Sequence, residues 1–275
     1  MKTFKNGMFA SVAVLAVMLT TVLVGCDKDE DVVERTTTYD LQVKDQLGVS
    51  GTVKFTESSS TVTVIDITLV GGDEASHPTH IHLNSAVVGG AIAITLSPVV
   101  NGHSSTAVTK LDNNSAISYS QLIEFDGYLN IHQSNNNMNT IIAQTDIGGN
   151  ALTGNNKTYA LAQAGVSGVS GNALFEKRKN GTTLVTVSCT GTISGGSHPA
   201  VFHVGSVATV GGGPITKTLN PVNGATGKSY TQLSALNNGT LISYDQTLVY
   251  DGYLSVHESQ LLMESVLCQG NIGSN

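Results

Sequence analysis

Apolar side chains recur on every second residue through much of this chain. Thr61-Val62-Thr63-Val64, continued by Ile67 and Leu69, is the pattern of a strand with one buried face. Ala91-Ile92-Ala93-Ile94-Thr95-Leu96, Tyr128-Leu129-Asn130-Ile131-His132 and Leu184-Val185-Thr186-Val187-Ser188-Cys189 alternate in the same way. Beyond residue 26 no stretch carries a capped 3.6-residue period. Turn clusters of Gly, Ser, Thr and Asn interrupt the alternation about every ten residues. The pattern predicts an all-β protein made of Greek-key β-sandwiches with about seven strands each.

The pattern also occurs twice. Ile117-Ser118-Tyr119-Ser120-Gln121 returns as Ile242-Ser243-Tyr244-Asp245-Gln246, and Phe125-Asp126-Gly127-Tyr128-Leu129-Asn130-Ile131-His132 returns as Tyr250-Asp251-Gly252-Tyr253-Leu254-Ser255-Val256-His257. Upstream, Gly48-Val49-Ser50-Gly51 matches Gly168-Val169-Ser170-Gly171, His77-Pro78 matches His198-Pro199, and His82 matches His203. The offset drifts from 120 to 125 residues, so insertions fall in loops. Two units of this length form a tandem duplication rather than a solenoid. The predicted modules are two tandem sandwiches over residues 38–150 and 157–275, joined by a flexible linker at 151–156 whose surroundings are rich in Gly and Asn.

The first residues follow a different rule. Lys2 and Lys5 precede an apolar run from Met8 to Val22, which ends in Leu23-Val24-Gly25-Cys26. The run is short for a membrane span and has the layout of an export signal. Leu-Val-Gly-Cys resembles a lipobox, which implies a signal peptide over 1–25 and lipidation of Cys26. Residues 26–37 are then the lipid anchor and an acidic tether, Asp27-Lys28-Asp29-Glu30-Asp31. A tract of this kind resembles that of surface-exposed lipoproteins, so the expected location is the cell envelope, at the outer membrane and facing outward.

Removing residues 1–25 takes away two lysines and no acid, which leaves 11 basic and 20 acidic residues and a net charge of −9. That balance argues against nucleic acid as a partner. With Cys26 assigned to lipid, two cysteines remain, Cys189 and Cys268. An exported chain permits a disulfide between them, and two buried thiols fit the sequence equally well.

Seven of the eight histidines sit at repeated positions. His80 and His82 are two residues apart, so on a strand both rings leave the same face. His132 lies on a later strand that a sandwich can fold beside them, and His77 offers a fourth nitrogen. Such a set suits copper or zinc. The second copy keeps His198, His203 and His257 but has Val201 where the first has His80. The alternative is that these histidines are hydrogen-bonded parts of the sandwich. Asp126-Gly127-Tyr128 and Asp251-Gly252-Tyr253 read as turns into strands, with the tyrosine hydroxyl tied to backbone.

At these residues the chain resembles the CHRD domain, the module first noticed in chordin. The resemblance is carried by Thr79-His80-Ile81-His82-Leu83, Gly89-Gly90 and Gly127-Tyr128-Leu129-Asn130-Ile131-His132, with Phe202-His203-Val204-Gly205 and Gly252-Tyr253-Leu254-Ser255-Val256-His257 in the second copy. It implies an immunoglobulin-like or superoxide-dismutase-like sandwich. The Gly-Glu-Ile-Arg-Gly-Gln type of ending is replaced here by Asn139-Thr140-Ile141-Ile142-Ala143-Gln144. A more distant resemblance is to copper–zinc superoxide dismutases, through the His-x-His strand and Val256-His257-Glu258, without their zinc loop or guiding arginine. Three functions follow as expectations. The first is a tethered, non-catalytic module that binds an extracellular protein or glycan. The second is copper or zinc binding, and the third a redox enzyme of dismutase type.

Overall fold

The computed structural model describes residues 34–275 except 46–47, 73–74 and 166. The signal peptide, Cys26 and the tether up to residue 33 lie outside the described residues, while Thr36 and Thr37, expected in the tether, already belong to the first strand. The chain is all-β, as the alternation predicts, and its strands form two curled antiparallel sheets.

The first copy contains β1 (Thr36–Val43), β2 (Ser50–Ser59), β3 (Val62–Val70), β4 (His77–Leu83), β5 (Ile92–Val99), β6 (His103–Val108), β7 (Gly127–Ser134) and β8 (Asn137–Ile147), with a single helical turn α1 (Tyr119–Leu122) before β7. The sheet order is β5-β4-β7-β8-β1-β2-β3-β6. Strand β1 makes the corner: residues from Thr36 to Leu41 pair with β2, while Gln42 and Val43 pair with β8. The sheet thereby folds on itself around one core. Val53, Phe55, Ile65 and Ile67 from one half pack with Ile81, Leu129, Ile131 and Ile142 from the other, all at most 1% exposed. Removing this much apolar surface from water is the main stabilising term.

The second copy repeats the plan with β9 (Leu152–Gln163), β10 (Ser170–Arg178), β11 (Thr183–Thr190), β12 (Ser197–His198), β13 (Ala200–Val204), β14 (Ile215–Thr218), β15 (Val222–Asn223), β16 (Lys228–Leu233), α2 (Tyr244–Thr247), β17 (Asp251–Ser259) and β18 (Leu262–Gly273). Its order is β12-β15-β16-β11-β10-β9-β18-β17-β13-β14. Here β9 is the corner strand, passing from β10 to β18. Both helical turns are fixed by capping boxes, Ser118 with Gln121 and Ser243 with Gln246.

The junction differs from the flexible linker expected at 151–156. Gly148–Asn150 is a buried 3-10 turn, and from Leu152 onward the chain is strand β9, paired with β10. Gly148 and Gly149 serve close packing. Gly148 has φ +56°, and a Cβ there would run into the Phe125 backbone. The tip of β10 is bonded to the end of the first copy. The Lys179 amide donates to the Ala151 carbonyl at 2.9 Å and the Asn180 amide to the Gly149 carbonyl at 2.8 Å. Arg178, fully buried, donates from Nη1 to Asp146 Oδ2 at 2.7 Å and to the Asn150 carbonyl.

A buried charge stripped of its partner is costly. Arg178→Met should therefore destabilise the chain by about 3 kcal/mol in urea unfolding. Adding Asp146→Asn should recover most of that loss, because the second copy already carries Asn271 at the equivalent position, where it accepts the Val207 amide as Asp146 accepts the Ala86 amide.

Candidate metal centre

Strand alternation builds the site. On β4, Ile81 points into the core while His80 and His82 leave the opposite face. On β7, Leu129 and Ile131 are core residues, so Tyr128, Asn130 and His132 take the outer face. The two strands pair with His80 opposite Asn130 and His82 opposite Tyr128. Cross-strand neighbours on one face lie about 5 Å apart, and the three imidazoles meet there. Ring centroids are 5.2 Å apart for His80 and His132, 5.9 Å for His80 and His82, and 6.4 Å for His82 and His132. One nitrogen from each ring lies within 4.8 Å of the other two.

Backbone carbonyls fix two of the tautomers. His82 Nδ1 donates to the Gly90 carbonyl at 3.1 Å, and His132 Nδ1 donates to the Met138 carbonyl at 2.6 Å. A carbonyl only accepts, so each ring holds its proton on Nδ1 and keeps a lone pair on Nε2. Those two Nε2 atoms, and Nδ1 of His80, are buried with no hydrogen-bond partner. Orientation of a ligating imidazole through its other nitrogen is the usual outer support of a metal site. The donor set therefore fits a borderline ion such as zinc or copper. Tyr128 stacks on His82 with centroids 4.8 Å apart and closes one side.

Burial lowers the pKa of His80, and the neighbouring His132 and His82 lower it further against the opposing pull of Asp112. Burial also lowers that of His82, opposed by its bond to Gly90 and aided by His132. Both rings are thus held neutral, the form that binds metal. Asp112 is placed by accepting the Thr95 amide at 3.1 Å and the Thr95 hydroxyl at 2.8 Å, Thr95 being the β5 partner of His80.

Not every expected ligand joins the cluster. His77 lies on the Thr79 and Ile81 side of β4 and donates Nδ1–H to the Gln133 carbonyl at 2.9 Å. His198 does the same to the Glu258 carbonyl at 2.8 Å. Both tie the start of one strand to the end of its neighbour, and the odd spacing of His77 from His80 and His82 puts it on the other face of the strand.

The second copy brings His203 and His257 together but fills the space between them. Their Nδ1 atoms donate to the Gly213 and Met263 carbonyls, as in the first copy. Ser255, standing where the first copy has Asn130, places its hydroxyl 2.8 Å from His203 Nε2 and 2.7 Å from His257 Nε2. The serine has one proton and so donates to one Nε2 at a time, its oxygen filling the space between the rings, and Val201 supplies no nitrogen. Tyr253 stacks on His203 at 4.4 Å, and its hydroxyl accepts the Gly213 amide at 3.1 Å. The tyrosine hydroxyl is tied to backbone as expected, while its ring serves the histidine. Asn130 and Ser255 were passed over in the sequence because neither is a metal ligand. The signal available was the paired exchange of His80 for Val201 and Asn130 for Ser255.

No family model, curated protein or solved structure matches the chain, so its own side chains carry what can be said of the site.

The lowered pKa values set a pH dependence. His80, His82 and His257 lie below the ordinary value of 6.5 in the folded chain. Above that value both folded and unfolded chains are neutral there. As pH falls below it, the unfolded chain takes up protons first and stability drops. The melting temperature of the metal-free protein should be level above about pH 7 and fall progressively below about pH 6.5. A second check concerns the exchange between copies: Val201→His combined with Ser255→Asn should give the second module a three-histidine cluster and one additional equivalent of bound metal by calorimetry.

Proposed function

We propose that this chain is a cell-envelope lipoprotein, anchored through Cys26, whose first module binds one copper or zinc ion through His80, His82 and His132. The second module is a metal-free sandwich that presents a surface to an extracellular protein or glycan. The observation that carries the metal assignment is the convergence of three imidazoles within 4.8 Å, with the inward nitrogens unpartnered. Three protein ligands leave room for a fourth group, water or substrate, as zinc sites outside purely structural roles commonly do. The chain's own part is to hold His80 and His82 neutral, to fix His82 and His132 by the Gly90 and Met138 carbonyls, and to exclude water on the Tyr128 side.

The anchor is supported by the Leu23-Val24-Gly25-Cys26 motif and the charged stretch that follows it. Among the described residues no helix is long and apolar enough to cross a membrane. Lipid on Cys26 would supply attachment without one. The anchor, the duplication and a sequence with no Ser-His-Asp, paired-carboxylate or phosphate-loop motif support a non-catalytic role in binding. A redox role of dismutase type rests only on the His-x-His likeness.

Titration of the purified chain with copper and with zinc should give one bound ion per chain. His80→Ala or His132→Ala should weaken binding at least about 100-fold, while His203→Ala and His257→Ala should leave the stoichiometry unchanged. Absence of tight binding by the unaltered chain would remove the metal assignment and leave a tethered display module. A superoxide assay on the copper-loaded chain separates an ion that is only held from one that turns over.

A further inference from the structure

Cys189 lies on β11 and Cys268 on β18, strands from opposite halves of the second sandwich, and both belong to its core. Their Sγ atoms are 3.7 Å apart, and both are free thiols. The first module shows what this fold places there otherwise. Cys189 pairs with Gly171 as Leu69 pairs with Gly51, and Cys268 pairs with Val256 as Ala143 pairs with Ile131. One sandwich has a large and a small apolar residue at these positions, and the other has two thiols of intermediate size. The two exchanges offset each other in part, one position losing volume and the other gaining it, which a core tolerates better than either alone.

We propose that Cys189 and Cys268 are a redox pair that closes to a disulfide between the two halves of the second module when the chain meets an oxidising disulfide. A disulfide bond is about 2.05 Å long, so about 1.7 Å remains to be closed between atoms already in contact. The pair is asymmetric. Cys189 is 8% exposed and Cys268 is 0% exposed, so an external disulfide meets Cys189 first. The hydrogen bond between the thiols lowers the pKa of Cys189, and the same bond, with burial, raises that of Cys268. Cys189 is thereby the attacking sulfur. Its thiolate attacks one sulfur of the external disulfide, releasing one thiolate and leaving a mixed disulfide. Cys268 then gives up its proton, attacks Cys189 Sγ and expels the second thiol. Two protein thiols are oxidised to one disulfide, and one external disulfide is reduced to two thiols. This device stands apart from the histidine cluster, which lies in the other module.

The test is incubation of the full chain with oxidised glutathione, followed by peptide mass mapping without reduction and a thermal melt. The expected result is a cross-linked Cys189–Cys268 peptide and a melting temperature higher by about 5 °C, reversed by dithiothreitol. Cys268→Ala, which restores the residue of the first module, should stall with glutathione on Cys189. The double change Cys189→Leu with Cys268→Ala should fold with the same circular dichroism and melt identically with and without oxidant. Two thiols still titratable in the oxidised chain, a stable glutathione adduct on the unaltered protein, or a bridge to Cys26 instead would overturn the proposal. The peptide map of the unaltered chain decides the matter even if a variant fails to fold.

Discussion

The site depends on the register between β4 and β7. Ile81, Leu129 and Ile131 must face inward, because exposing any of them forfeits core burial. A strand with one buried face has no freedom over the other, and a slip of one residue would turn every side chain over. His80, His82 and His132 therefore share the outer face as a consequence of what their neighbours bury. The Gly90 and Met138 carbonyls then settle a finer matter, the side of each ring that carries the proton. Packing sets the face and hydrogen bonding sets the tautomer.

Duplication makes the second module a built-in comparison. It keeps the stacked tyrosine, the carbonyl partners and the two outer histidines, yet its centre is occupied by the Ser255 hydroxyl. Three open ring nitrogens in the first module are a donor set in want of an acceptor. In the second, the Ser255 hydroxyl occupies that space and donates its one proton to one of the two ring nitrogens at a time. The scaffold that aims the rings is thus separable from the residues that decide what lies between them. His77 and His198 belong to the scaffold, since their bonds to Gln133 and Glu258 are the same in both copies.

Much of this was legible in the sequence because strand alternation is a local property. The all-β class and the shared face of His80 and His82 follow from residues within a few positions of one another, and the twofold repeat from matching such stretches 120 to 125 residues apart. His132 could be nominated but not placed, since β4 and β7 are brought together by pairing across about fifty residues of chain. The role of His77 was misjudged for the same reason: its partner, the Gln133 carbonyl, carries no side-chain signal. The junction was misread because glycine has two uses. Gly148 and Gly149 looked like mobility and prove to be tight packing against Phe125 and Asp126. Arg178, the residue that makes that packing matter, reads in sequence as an ordinary basic residue at a hairpin tip.

Arg178 of the second sandwich reaches back to Asp146 of the first. The strand that leaves one module pairs at once in the next, with a partly buried ion pair across the seam and no loop between them. A partner that gripped both modules would gain from the second contact only if its own attachment points matched the distance this seam sets. The seam, rather than the surface of either domain, would then decide which bivalent geometries fit.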